Sequence, residues 1–313
     1  MTNASGTDLG ERSKSRRDTA QDEPCNRNVI RSTLRYTPPL SWRAFSQFLA
    51  GRSAASVESM HEGRYWRTVR LNGSTGWISV GPSKDPKTLS LHFSPSLRPH
   101  AKELRARLQN SFDLAADPIA IDAHLSRDEL LRPLIARTPG LRVPGAFDGL
   151  ELAVRAVLGQ RISVKVATIL AGKIAAYFGE TVETPIPELR HVFPSAETLA
   201  DTSSAQLRSI GLGGPPVEAI RSLARGTAEG HLTLRPSPRA AIEVEQLLDL
   251  PGIGPWTAQY IGMRALRLPD AFPHSDLGLV KALGLAPAKV LSRAETWRPW
   301  RAYAAIHLWS TLG

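Results

Sequence analysis

Alternation of apolar and polar side chains is clearest over YWRTVRLNGSTGWISV, residues 65–80, on either side of Asn72-Gly73. That dipeptide suits a two-residue hairpin, whose central residues both need positive φ. TLSLHF, 88–93, alternates again and predicts another strand. Upstream, WRAFSQFLAG sets Phe45, Phe48 and Leu49 on one helical face, with Ser41 placed to cap it. Ser96 to Phe112 predicts an amphipathic helix. Residues 33–123 therefore predict a small α+β domain with an antiparallel sheet. Residues 1–32 are polar, of mixed charge and poor in large apolar side chains, and predict a disordered tail.

From about residue 124 the alternation gives way to helical spacing. Segments at 126–137, 148–159, 163–178, 195–200, 203–210, 215–229, 240–249, 255–267, 275–284, 287–295 and 299–311 are separated by Gly, Pro and Ser. No further strand pattern and no solenoid repeat appears. The fold class expected is α+β: an N-terminal antiparallel sheet domain followed by an all-helical bundle.

Charge adds a partner to this picture. The 313 residues carry a net charge of +10. The tail has six Lys/Arg and five Asp/Glu, so the excess sits on the folded body. A basic body of this size points to a polyanion, although a basic solvated surface alone would look the same. A single cysteine, Cys25, excludes internal disulfides, a four-cysteine zinc site and an iron–sulfur cluster. It fits a reducing compartment. The most apolar stretch, Leu152 to Tyr177, is broken by Arg155, Arg161, Lys165 and Lys173 and does not predict a membrane span. With no apolar signal segment at the N-terminus, a cytoplasmic protein is expected, associated with the nucleoid if its polyanion is DNA.

The densest local signal is LLDLPGIGPWTAQYIG, Leu247 to Gly262. A helix ends near Leu250-Pro251. Gly252-Ile253-Gly254-Pro255 turns the chain, and a second helix starts with Pro255 near its first position, where the missing N–H costs nothing. Ile253 can pack down between the two helices. The glycine N–H groups then lie bare at a helix start, a site suited to phosphate. A tight helix connection that binds nothing is the bland alternative.

LPGIGPWTA resembles the helix-hairpin-helix of base-excision DNA glycosylases. The chain as a whole resembles one branch, the AlkA-type alkylbase DNA glycosylases. TLRYTPPLSWRAFSQFLAGR, PGLRVPGAFDGLELAVRAVLGQRISV, the hairpin, AFPHSDLGLVKALG and WRPWRAYAAIHLW match it in order, over roughly 33–313. The resemblance implies a sheet domain like a TATA-binding repeat and two helical subdomains. One would be 149–268 with the hairpin, the other 124–148 plus 269–313, with the active-site cleft between them.

It also implies roles. Asp276, twenty residues after Trp256, is the expected catalytic carboxylate, although it could equally cap the helix that follows. Trp256, Tyr260, Phe48 and Trp309 would line the base pocket. Gly252, Ile253, Gly254, Thr257, Gln160 and Arg161 would meet DNA, with Arg161 filling the space left by a flipped base. The carbonyls of Leu248, Leu250 and Ile253 could hold a monovalent cation at the DNA backbone. No other cofactor is implied, and His274 and His307 have no metal-ligand partners at useful spacing.

Three departures from the family pattern stand out. Ser275 occupies a position that is often acidic, Arg161 replaces a leucine, and no basic residue stands near Pro216. Trp256 stands where strand-nicking relatives carry a nucleophilic lysine, so a monofunctional enzyme is expected. The implied partner is double-stranded DNA with alkylated bases such as 3-methyladenine or 7-methylguanine, bound by a monomer that leaves an abasic site. A non-catalytic DNA-damage-binding protein is the alternative from another class. A glycosylase for oxidised or mismatched bases fits less well, for want of lysine at 256 and of cluster cysteines.

Overall fold

The computed structural model describes residues 29–312. The tail expected over 1–32 lies outside the described residues as far as residue 28. A strand, β1 (Ile30–Arg35), begins before the expected boundary at 33.

Five strands form one antiparallel sheet in the order β1-β5-β4-β3-β2. The others are β2 (Glu58–His61), β3 (Arg64–Leu71), β4 (Ser74–Pro82) and β5 (Thr88–Phe93). Leu71 pairs with Ser74 across the expected turn, where Asn72 has φ 48° and Gly73 φ 80°. Both signs are those a type I′ hairpin needs. The pattern missed β1 and β2. The first is an edge strand that buries only Leu34, and the second is four residues long.

Helix α1 (Trp42–Ala50) forms where the spacing predicted it, but Ser41 makes no side-chain capping bond. The segment from Ser96 opens as a 3₁₀ turn (Pro95–His100) and becomes α2 (Ala101–Ser111). Pro99 has no N–H to give, which keeps the first stretch from being an α-helix. The segment expected to be one helix over 126–137 is helical only in its second half, and a helix that was not expected precedes it. Helix α3 (Pro118–Leu125) starts earlier, with Asp117 accepting from the Ile119 and Ala120 N–H groups, and α4 (Arg132–Arg137) follows. Asp117-Pro118 is a strong helix start, and the polar run after Leu125 ends it.

The remaining helices are α5 (Gly149–Leu158), α6 (Val164–Phe178), α7 (Ala196–Asp201), α8 (Ser204–Ser209), α9 (Gly214–Ala228), α10 (Ala240–Leu248), α11 (Pro255–Arg264), α12 (Leu277–Leu283), α13 (Pro287–Arg293) and α14 (Arg301–Trp309). Apolar burial gathers them around three cores. The sheet packs on α1 and α2 through Leu34, Phe45, Ile78, Leu91, Leu104 and Phe112. Helices α5, α6, α9, α10 and α11 share a second core, and α3, α4, α12, α13 and α14 a third. No helix among the described residues is long and apolar enough to cross a membrane.

A buried set of charges joins the sheet to α5. Arg67 of β3 meets Glu151 at 2.6 Å and Glu58 of β2 at 3.5 Å, while Arg155 meets Glu58 at 2.8 Å and Glu151 at 2.9 Å. Burial works against the Glu58 charge, but the Arg155 and Arg67 guanidiniums outweigh it and hold its pKa down to about 2. Removing one member would leave an opposite charge buried without compensation, typically at several kcal/mol. Arg155 also donates to the Arg52 carbonyl just past α1. That bond ties the segment carrying Phe48 and Arg52 to α5.

Candidate active site

A cleft of about 1400 Å³ opens where α1, the α5–α6 turn, α11, α12 and α14 meet. Phe48, Trp256, Tyr260, Trp309 and Asp276 all line it. Residues far apart in sequence are thus brought together as the resemblance implied.

Asp276 sits at the N-cap of α12, and its carboxylate Oδ1 accepts from the Leu279 N–H at 3.0 Å. The capping role therefore holds, and two more donors are added to it. The Trp309 indole N–H donates to Oδ1 at 2.8 Å, and the Trp256 indole N–H to Oδ2 at 2.9 Å. A carboxylate has about four acceptor sites, so these three bonds leave roughly one, on Oδ2. Gly278 makes the grip feasible. A Cβ there would stand 2.9 Å from Asp276 Oδ1 and 3.1 Å from the Trp309 ring. The sequence analysis did not single Gly278 out; its signal is a glycine one residue into a helix right after the aspartate.

Trp256 and Tyr260 are one helical turn apart on α11, and their rings stack at 5.4 Å between centroids, 19° from parallel. Trp309 continues the wall, 6.0 Å from Tyr260 and tilted by 49°. Burial opposes ionisation of the Tyr260 phenol, but the Arg264, Arg52 and Arg155 charges and a hydrogen bond from Arg264 hold its pKa below the ordinary tyrosine value. That bond, Arg264 Nη1 to Tyr260 Oη, is 2.6 Å long. Arg264 itself is 5% exposed. Arg52 and Arg264 are cleft residues that no motif pointed to.

The hairpin runs along one edge. Gly252 has φ 77°, and a Cβ there would also press on Ala219 at 3.1 Å. Gly254 is different: nothing lies within 4 Å of where its Cβ would be, and it caps α11 without a side-chain bond. The fold itself does not demand that second glycine. Pro255 has no N–H, so the first turn of α11 offers the Trp256 and Thr257 N–H groups, beside that of Gly254.

Several residues expected to meet DNA also brace the hairpin. Ile253 is 5% exposed and packs in the second core, so only its backbone faces outward. Thr257 is buried, and its hydroxyl accepts from the Gln160 amide at 2.9 Å. The same amide donates to the Gly252 carbonyl at 2.8 Å, so Gln160 is a strut between the α5–α6 turn and the hairpin. Arg161 is exposed at the cleft mouth beside exposed Ile162 and Val164, and it makes no hydrogen bond or ion pair among the described residues. Of the carbonyls suggested for a cation, that of Leu250 already accepts from the Ile253 N–H at 3.2 Å. Among the described residues no group of three or more His, Cys, Asp or Glu could hold a metal.

Comparison with known proteins agrees with this architecture. Residues 31–148 match the AlkA N-terminal domain family. DNA-3-methyladenine glycosylase 2 of Escherichia coli is 34% identical over 282 residues, which is 90% of this chain and 97% of that protein. A probable bifunctional transcriptional activator/DNA repair enzyme AlkA of Mycobacterium tuberculosis is 38% identical over 279 residues; the match spans 88% of this chain and 55% of that longer protein. Among solved structures, the 3-methyladenine DNA-glycosylase of Archaeoglobus fulgidus shares the fold with a TM-score of 0.78 at 24% identity, covering 89% of this chain and 97% of that one. The chain belongs to the AlkA-type DNA-3-methyladenine glycosylase family.

Proposed function

We propose that this protein is a monofunctional DNA glycosylase that extrudes an alkylated base from double-stranded DNA, excises it by hydrolysis and leaves an abasic site. The observation that carries the reading is the Asp276 carboxylate, gripped by two indoles at the end of an aromatic cleft.

Breaking an N-glycosidic bond builds positive charge on the sugar. A fixed carboxylate beside it stabilises that charge, and the acceptor site left on Asp276 can orient water. Among the described residues Asp276 is the only acid lining the cleft, so they offer no second carboxyl to protonate the departing base. A 3-methyladenine or 7-methylguanine already carries positive charge and needs no such proton. The stacked faces of Trp256 and Tyr260, with Trp309 and Phe48, suit a flat cation, each such contact contributing ~0.5–2 kcal/mol. An indole at position 256 cannot attack the sugar, which supports hydrolysis without strand cleavage. Bare N–H groups along Gly254, Trp256 and Thr257 suit a DNA phosphate, and Arg161 at the cleft mouth suits the gap left by the extruded nucleotide.

The test is incubation with methylated duplex DNA and identification of the released bases by chromatography. The unaltered protein releases 3-methyladenine and 7-methylguanine and leaves an unbroken strand. Asp276→Asn retains duplex binding and loses release by about 10²–10³-fold. Near-normal release by that variant would remove Asp276 from the mechanism.

A further inference from the structure

Among the described residues, five arginines and a single carboxylate line the cleft: Arg52, Arg142, Arg155, Arg161 and Arg264 against Asp276. Most of these cations are accounted for. Arg142 donates to the carbonyls of Ala116, Thr37 and Pro39, and Arg155 is paired with Glu58 and Glu151. Arg264 is fixed by the Pro144 carbonyl and the Tyr260 hydroxyl. Arg161 reaches solvent at the mouth.

Arg52 stands apart. Its guanidinium makes no hydrogen bond and no ion pair among the described residues, and its Cζ lies 3.8 Å from the centre of the Phe48 ring. The contact with the ring is what holds it. Arg264 approaches the same ring at 4.9 Å. Two like charges thus share one aromatic, and neither has a carboxylate partner among the described residues. Burial lowers the Arg264 pKa, and the Arg52 and Arg155 charges push it the same way. Coulomb repulsion therefore favours moving Arg52 outward, while stacking on Phe48 holds it in.

A guanidinium is a flat, delocalised cation that stacks on aromatic faces. An alkylated purine is the same kind of object, only larger. We propose that Arg52 is a displaceable gate on the base pocket: its guanidinium occupies the Phe48 face, and an extruded base enters by displacing it. The proposal rests on the glycosylase reading and names a selectivity device within it. A fixed displacement cost hardly changes the release of a base whose extrusion is already favourable. It lowers, in proportion, the extrusion of one that stacks weakly. Undamaged and neutral bases are the weak ones, so the gate acts against them. Its backbone tether, the Arg155 bond to the Arg52 carbonyl, stays in place while the side chain swings.

The test uses the full chain and Arg52→Ala, with Arg52→Gln as a second variant that keeps size and loses the planar cation. A duplex containing one 2-aminopurine, a neutral base that brightens on leaving the stack, reports extrusion without any chemistry. Removing a cation–π cover of this kind raises the extruded fraction about 3- to 10-fold. Affinity for a duplex holding a tetrahydrofuran abasic-site analogue is unchanged, and 7-methylguanine release at saturating enzyme stays within about twofold, since a saturated extrusion step does not feel the gate. An extruded fraction that is unchanged or lower overturns the gate. A weaker grip on the abasic duplex makes Arg52 a backbone contact instead, and a large loss of release makes it part of the chemistry; either overturns the proposal. Failure of the unaltered protein to release any methylated base would sink the glycosylase reading while the fluorescence comparison still judged the gate.

Discussion

The indole N–H of Trp256 donates to the Asp276 carboxylate across 2.9 Å, although the two residues are twenty positions apart. One lies on the first turn of α11 and the other caps α12. The hairpin helix and the Asp276 carboxylate therefore hold each other in place. Trp256→Phe keeps an aromatic face and removes the donor. A hydrogen bond to a charged acceptor contributes ~1.5–3 kcal/mol, so single-turnover base release should fall by about 10- to 100-fold while abasic-duplex affinity is retained. An unchanged rate would show that Trp256 serves only as a stacking face.

The two hairpin glycines separate fold from ligand. Gly252→Ala forces an L side chain into φ 77° and against Ala219, at ~1–2 kcal/mol of stability. Gly254→Ala meets open space and changes stability by less than about 1 kcal/mol. Its methyl group instead stands where a phosphate would approach. Thermal unfolding should register mainly the first variant, and duplex binding should weaken in both. Intact binding by Gly254→Ala would remove the phosphate from that spot.

Arg161 is exposed at the cleft mouth and unpaired among the described residues. Its guanidinium can stack on bases and hydrogen-bond an orphaned partner. Arg161→Ala should weaken binding to an abasic-site duplex by ~1 kcal/mol or more beyond its effect on intact duplex. Matched titrations at one salt concentration measure this. Equal losses on both DNAs would make Arg161 a phosphate contact.

His307 is 1% exposed, and neither ring nitrogen has a hydrogen-bond partner among the described residues. Burial lowers its pKa from 6.5 to about 4. Between those values the unfolded chain binds a proton that the folded protein refuses, so stability falls as pH drops through that window and levels off below it. The loss from this one group is on the order of 3 kcal/mol. His307→Leu should flatten the difference between urea unfolding at pH 7.5 and pH 4 by about that amount. An unchanged difference would show that the ring finds a proton-accepting partner.

How much of this could be read from residues alone depended on how local each signal was. Asn72-Gly73 with its flanking alternation, and Pro255 at a helix start, declare themselves within a few residues. The aromatics and Asp276 were reachable only because the family pattern linked distant segments. Thr257 and Gln160 carry donors and acceptors that suit DNA; their bonds to each other and to the hairpin arise from packing that no local pattern announces. Arg52 closes one of the family-matching segments, but nothing in the residues gave it a role. A lone arginine after a helix is ordinary, and only the chain path that folds α1 over α11 sets it on Phe48 beside Arg264.

Phe48 and Arg52 come from the sheet domain, and Glu58 and Arg67 from the same domain neutralise Arg155 and Glu151 of α5. A fragment starting at residue 124 would keep the hairpin, Asp276 and three of the four aromatics. It would nonetheless open one wall of the cleft to water and uncover the apolar side chains that Ala54 and Val57 pack against, while Arg155 and Glu151 would keep only each other. Expressed alone, such a fragment should be poorly soluble, and supplying residues 29–123 as a separate polypeptide should restore a single cooperative unfolding transition.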